Sequence, residues 1–117
     1  MGNDRERVTA APLRPIEFHI LLSLTSGERH GYGIIQDAEA RGARVDVGTL
    51  YRALARMSDR GLIEAATRRG VAEAGEERRN YYRITAKGLR VGRGEARRVA
   101  DLARAAHACG LLQEVGS

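Results

Sequence analysis

The 117-residue sequence has little of what secreted and membrane proteins require. Its single cysteine, Cys109, excludes an intrachain disulfide, so a reducing cytosol is the simplest environment. No segment approaches the roughly 20 consecutive apolar residues of a membrane-spanning helix. Residues 1–15 contain no apolar run of signal-peptide length. These absences predict a soluble, cytoplasmic protein with no membrane partner.

Residues that carry catalysis or bind metals and cofactors are also scarce. The histidines are not spaced as metal ligands, and His107 with Cys109 supplies only a two-ligand fragment. Gly31 and Gly33 lack the preceding strand and the third glycine of a dinucleotide loop. We therefore predict no metal site, no cofactor and no enzymatic activity. Tryptophan is absent and Phe18 is the only phenylalanine, which limits surfaces for stacking planar ligands.

Arginine, in contrast, is abundant. Of the 20 basic residues all but Lys87 are arginine, and 15 acidic residues leave a net charge of +5. The guanidinium group matches phosphate geometry, which favours a polyanionic partner. An arginine-rich compositional habit would spread this charge evenly. Instead residues 41–60 sum to +3 (five basic, two acidic) and residues 83–104 to +5 (seven basic, two acidic). This clustering favours nucleic acid.

The spacing of apolar residues predicts three helices in the first half of the chain. They cover about 15–25, 31–41 and 47–60, and Asp46 is a suitable N-cap for the third. The predicted buried stripe of the third helix consists of Val47, Leu50, Tyr51, Leu54 and Met57. The face predicted to lie opposite presents Thr49, Arg52, Ala53 and Arg56.

The pattern then changes to two strands and a final helix. Residues rich in β-formers at about 62–65 and 80–85 flank a loop, which predicts a hairpin, or wing. The last helix, about 86–112, should be weakened or bent at Gly92 and Gly94, and its continuity is left open. It carries a heptad-spaced seam of small and apolar residues: Leu89, Gly92, Ala96, Val99, Ala103, Ala106 and Gly110, widened by Leu102 and Leu112.

This order of elements is that of a winged helix-turn-helix, mostly α with a small β-wing, followed by a C-terminal dimerisation helix. Because the first three helices are expected to fill the core, the seam of the last helix should pack against a partner subunit. We predict a mobile N-terminal arm at 1–12, a DNA-binding domain at 13–85, the dimerisation helix at 86–112 and a tail at 113–117. The residues expected at the dimer contact are Leu89, Ala96, Val99, Leu102, Ala103 and Ala106.

Five short motifs resemble those of the PadR-type transcriptional regulators, in the same order and at similar spacing. They are residues 30–35 (HGYGII), 48–54 (GTLYRAL), 61–64 (GLIE) and 78–85 (RRNYYRIT), followed by Gly88. The resemblance covers about residues 13–112. The short length is similar to that of the subgroup with a single dimerisation helix.

The resemblance implies a sequence-specific DNA-binding regulator, in its simplest form a homodimeric repressor whose third helix enters the major groove of double-stranded DNA. Some members of the family respond to small molecules, so relief by a small-molecule effector is left open. The family implies DNA contacts for Tyr32, Thr49, Tyr51 and Arg52 and for the wing-tip residues Arg68, Arg69, Arg78 and Arg79. Two further DNA contacts are predicted from their position on the third helix. They are Gly48, for close access of its backbone, and Arg56.

Each assignment has an alternative. Tyr32 and Tyr51 could be core aromatics, and Arg56 a solvated charge. One of Tyr81 and Tyr82 should be core and the other exposed, because they alternate on a strand. Glutamates of the wing offset its arginines, which weakens the case for wing contacts. The alternative function is a winged-helix protein–protein interaction module without DNA binding, which a stoichiometric protein partner and no retained DNA would indicate.

Overall fold

The structure, a computed structural model, describes residues 12–66 and 80–113. The predicted arm, apart from Pro12, and residues 67–79 and 114–117 lie outside this part. The described residues form four helices and three strands: α1 Pro15–Leu24, β1 Arg29–His30, α2 Gly31–Ala40, α3 Val47–Asp59, β2 Ile63–Ala66, β3 Tyr81–Ile84 and α4 Ala86–Ala108. The fold is mostly helical with a small antiparallel sheet, which confirms the predicted winged-helix class. No helix in these ranges is long and apolar enough to span a bilayer.

The sheet has β3 at its centre, in the order β1-β3-β2. Both pairs are antiparallel, with Ile63 opposite Ile84 and Arg29 opposite Tyr82. The sequence predicted β2 and β3 but not β1, which is too short to show an alternating pattern. Because β1 directly precedes α2, the expectation that no strand precedes Gly31 is wrong. The third glycine of a dinucleotide loop is still missing.

The core lies between α1, α2, α3 and the sheet. In α3, Leu50, Leu54 and Met57 are buried as predicted, but Val47 is 59% and Tyr51 46% exposed. Ala53, predicted on the outer face, is fully buried. Ala53 follows Leu50 by three residues and precedes Met57 by four, so it shares their side of the helix. Val47 lies in the first turn, beyond the edge of the core.

Helix α4 packs on the rest of the chain along its first half. A Cβ placed on Gly92 would lie 3.4 Å from Cδ1 of Leu21 in α1. Gly88 and Glu95 are buried, and Val91 packs against the core. The prediction that the first three helices alone fill the core is therefore wrong for this half of α4.

The second half of α4 carries the exposed part of the predicted seam. The helix is continuous through Gly92 and Gly94, which answers the question of continuity that the sequence left open. It ends at Ala108, four residues before the predicted 112, and the chain turns at Gly110, whose φ of 87° favours glycine. Val99 is 41% and Leu102 56% exposed. In the monomer these apolar side chains face solvent.

Candidate nucleic-acid interface

The first two turns of α3 present polar side chains to solvent. Asp46 caps the helix, because its Oδ2 accepts a hydrogen bond from the backbone N–H of Thr49 at 3.0 Å. The Thr49 hydroxyl lies 3.3 Å from the same Oδ2, and Nη2 of Arg52 donates to the Thr49 Oγ1 at 3.3 Å. A Cβ on Gly48 would lie 3.2 Å from both Nη1 of Arg52 and Oδ2 of Asp46. Glycine at 48 therefore leaves room for this polar group.

Two exposed tyrosines flank the start of α3. Tyr32, in the first turn of α2, is 61% exposed, and Tyr51 is 46% exposed. The interpretation of either as a core aromatic is therefore wrong. The Tyr51 hydroxyl lies over Gly31, where a Cβ would stand only 2.6 Å from it. A side chain at residue 31 would therefore displace the Tyr51 ring.

Of the strand residues Tyr81 and Tyr82, one lies in the core as predicted, but the other is not exposed. Tyr82 is buried and Tyr81 half-buried. Burial, together with the nearby Tyr51, raises the pKa of the Tyr82 hydroxyl above its ordinary value, although a hydrogen bond with Asn80 acts in the opposite direction. Tyr82 therefore belongs to the hydrophobic core.

His30 joins the sheet to the start of α2. Its Nδ1 accepts a hydrogen bond from the backbone N–H of Gly33 at 3.0 Å, which caps the helix. Its ring stacks on Tyr32, with centroids 6.4 Å apart, and meets Tyr81 edge-on at 5.3 Å. The cap and these ring contacts fix the direction in which α2 leaves β1.

Charged groups hold α2 in place on both sides. Arg29 donates two hydrogen bonds to Asp37, at 3.1 and 2.6 Å. Burial alone would raise the pKa of Asp37, but the hydrogen bonds from Arg29 and Ser23 outweigh it and hold that pKa below its ordinary value. Arg41 bonds Ser23 and contacts His19 on α1, and burial and then the Arg41 charge lower the pKa of His19.

Arg56 does not lie free on the outer face of α3. Its Nε is 3.3 Å from Oε2 of Glu17, a carboxylate that is only 3% exposed. The other oxygen of Glu17 accepts the backbone N–H of Arg14 at 2.8 Å and caps α1. Glu17 was missed in the sequence, although its place three residues after the N-cap is that of a capping carboxylate. The pair fixes α3 against α1.

The predicted wing contacts Arg68, Arg69, Arg78 and Arg79 lie outside the described residues and remain predictions. Among the described residues, the arginine that follows the wing most closely in sequence is Arg83 on β3. It pairs with Glu64 at 2.7 Å and with Glu28 at 3.7 Å across the sheet. Hydrogen bonding to Glu64 raises the pKa of Arg83 further, so it stays charged. In the two described ranges no group of three or more histidine, cysteine or acidic side chains could hold a metal ion.

A largely apolar cavity of about 300 Å³ lies between α1 and α4. Phe18, Leu21 and Leu22 line one wall. Leu89, Gly92 and Ala96 line the other. Of the residues predicted at the dimer contact, Leu89 and Ala106 are half-buried, while Ala96, Val99, Leu102 and Ala103 are exposed. The cavity and the exposed seam thus follow one another along α4.

The sequence matches the model of the transcriptional regulator PadR-like family over residues 20–93, more than half of the chain. The chain belongs to the PadR-like family. A search of proteins with curated descriptions found no match.

Solved structures of PadR-like and related regulators share the fold. A PadR family transcription regulator from Clostridium difficile is 25% identical, with a TM-score of 0.71 over 80% of this chain and 95% of that one. A Streptococcus mutans protein is 23% identical, with a TM-score of 0.67 over 88% and 96%. Bacillus subtilis PadR, solved with operator DNA, is 23% identical, with a TM-score of 0.54 over 66% and 44%.

The PadR-like match ends at Arg93, within α4. It therefore includes the second half of α1, then α2, α3, the sheet and the first eight residues of α4. The exposed half of α4, with Val99 and Leu102, lies beyond it.

Proposed function

We propose that this PadR-like regulator is a homodimeric, sequence-specific DNA-binding repressor that places α3 in the major groove of its operator. The observation that carries the proposal is the polar surface at the start of α3, where Arg52 is exposed, Thr49 is half-buried, and the nearby tyrosines Tyr32 and Tyr51 are exposed. A helix fits the width of the major groove, where base edges present distinct patterns of donors and acceptors. The clustering of arginine in the sequence supports the same partner.

The proposed contacts divide into base edges and backbone. Thr49 and Arg52 would meet base edges, and Arg52 could donate two hydrogen bonds to a guanine. Tyr32, Tyr51 and the close approach at Gly48 would meet phosphates, which fix position. The wing arginines, predicted from the sequence, would add further phosphate contacts. Arg56 would contribute chiefly through Glu17, by holding α3 in place.

The exposed seam of α4 supports a dimer. A second copy would cover Val99, Leu102 and Ala103 and bring a second α3 to the same DNA, as the two-fold symmetry of an operator requires. Repression needs only that the dimer occupy its site. Activation would need an additional contact with the transcription machinery.

The cavity between α1 and α4 supports a small apolar effector. Its lining is mainly apolar, with Thr25 and Arg93 as the polar members, and Phe18 supplies the aromatic ring that α4 lacks. The same α1 carries Glu17, whose ion pair holds α3, so an occupant that displaced α1 would disturb the recognition helix. An apolar compound that binds this cavity should release operator DNA in a titration, and a compound that binds without changing DNA affinity would contradict the link.

DNA binding is tested by titrating the protein against the DNA upstream of its own gene at two salt concentrations. We expect affinity to fall steeply with salt, because phosphate contacts release counterions. Arg52→Ala should reduce discrimination between operator and unrelated DNA by about 1–3 kcal/mol, roughly 5- to 150-fold. The control is Arg90→Ala, at an exposed arginine of α4. It removes the same charge and should preserve that discrimination.

Binding that is absent or insensitive to salt would contradict the proposal. Retention of a stoichiometric protein partner without DNA would favour the interaction-module alternative. Equal loss of discrimination in both arginine variants would show that Arg52 contributes only charge.

A further inference from the structure

The Thr49 hydroxyl has its hydrogen-bonding role determined by its two neighbours. Oγ1 lies 3.3 Å from Oδ2 of Asp46 and 3.3 Å from Nη2 of Arg52. An ionised carboxylate can only accept and a guanidinium can only donate. The single hydroxyl proton must therefore point to Asp46, while one lone pair accepts from Arg52. What Thr49 can still offer to DNA is an acceptor.

The carboxylate that takes this proton is itself fixed in place. Oδ2 of Asp46 also accepts the backbone N–H of Thr49 at 3.0 Å, as the N-cap of α3. Aspartate is ionised at neutral pH, and the positive end of the helix dipole favours a negative charge there. Asp46 therefore polarises Thr49 in one direction whenever α3 is formed.

Base edges in the major groove differ in how they would meet such a hydroxyl. Adenine N6 and cytosine N4 present amino donors, whereas guanine O6 and thymine O4 present only acceptors. A threonine hydroxyl normally serves either kind, because its proton can rotate toward an acceptor. Here a rotation toward guanine or thymine would break the bond to Asp46.

We propose that Asp46 is a specificity-determining residue that makes Thr49 an acceptor for a base amino group, adenine N6 or cytosine N4. Arg52, one helical turn further along the same face, would contact a neighbouring guanine. This inference rests on the proposed DNA-binding function and deepens it. It assigns Asp46 a role in specificity that acts through Thr49.

Three variants separate this role from helix capping. Asp46→Ser keeps a good N-cap, but its hydroxyl no longer imposes one direction on the Thr49 proton. Asp46→Asn keeps an oxygen that accepts from Thr49 and should preserve the preference. Thr49→Val keeps the shape of the side chain and removes the hydroxyl. Thermal unfolding of each variant, followed by circular dichroism, reports whether α3 is intact.

The experiment selects preferred sites from a random double-stranded DNA library with the wild-type protein and each variant. The base pair contacted by residue 49 is the position whose preference changes in Thr49→Val. At that position we expect the wild type and Asp46→Asn to select adenine or cytosine on the contacted strand. Asp46→Ser should select among the bases with little preference.

A single base analogue gives the quantitative check. Replacing the selected adenine by purine, or the selected cytosine by 2-pyrimidinone, removes the amino group alone. The wild type should lose roughly 3- to 10-fold in affinity, the effect of one hydrogen bond, and Thr49→Val less than about 2-fold. This comparison holds even if Asp46→Ser fails to fold.

The outcomes are distinct. Three results would overturn the inference while leaving DNA binding established. They are selection of guanine or thymine at that position, an unchanged preference in a folded Asp46→Ser variant, and no position altered by Thr49→Val. If the wild type enriches no sequence at all, the proposed function itself fails, and the inference fails with it.

Discussion

Gly88→Ala is expected to lower the free energy of unfolding by about 3 kcal/mol or more, the upper range for overpacking a tight contact. A Cβ at this position would overlap the backbone carbonyl oxygen of Leu62 and lie 2.8 Å from Cγ1 of Ile84. The same carbonyl accepts the backbone N–H of Thr85 at 3.1 Å. Because the obstacle is backbone, α4 or β2 must move to admit a methyl group.

Gly94→Ala provides the matched control, since Gly94 lies in the same helix and a Cβ there would meet nothing within 4 Å. It should raise the free energy of unfolding by about 1 kcal/mol, the difference in helix propensity. Urea unfolding followed by circular dichroism measures both variants. A Gly88→Ala protein as stable as the wild type would show that α4 does not approach β2 as closely as described.

The helices were predictable because their signals are local. Pro15 stands at the first position of α1, Asp46 caps α3 as predicted, and Thr85 caps α4 in the same way. Each of these caps is a contact over three residues and is visible in any short window of sequence. Strand β1 has no such signal, because it exists only through its pairing with β3.

The small residues of α4 show why a pattern identifies a contact but not the partner. A glycine such as Gly92 permits close approach to another helix, whether in the same chain or in a second copy. The sequence analysis predicted that Gly92 packs against a second copy, whereas the structure places Leu21 of the same chain against it. Only the outer half of the seam, around Val99 and Leu102, remains exposed for a partner.

The candidate site was partly predictable for the same reason. Thr49 and Arg52 follow from the helical spacing of the buried stripe, which defines the outer face. The ion pair between Glu17 and Arg56 joins residues 39 positions apart, and no periodicity connects them. The interaction of Asp46 with the start of α3 could be expected as a cap, but its consequence for specificity needs the positions of the Asp46, Thr49 and Arg52 side-chain atoms.

Ala103→Glu is expected to have the largest effect on function. In the proposed dimer Ala103 lies in the seam between two α4 helices, so each dimer would bury two carboxylates. The effective cost of burying an unpaired charge is several kcal/mol per ion, which should raise the dimer dissociation constant by about 100-fold or more. A monomer contacts one half-site, and losing the linked second contact should reduce operator affinity by roughly 10²- to 10⁴-fold.

Ala108→Glu is the control that separates dimerisation from charge. Ala108 is exposed, and at about 100° per residue it lies on the side of the helix away from Ala103, Leu102 and Val99. It adds the same negative charge and should remain dimeric, with only a small loss of DNA affinity. Analytical ultracentrifugation and an operator titration measure both properties. If both variants lose DNA binding equally while remaining dimeric, repulsion between the new carboxylate and DNA explains the loss, and the seam is not the dimer contact.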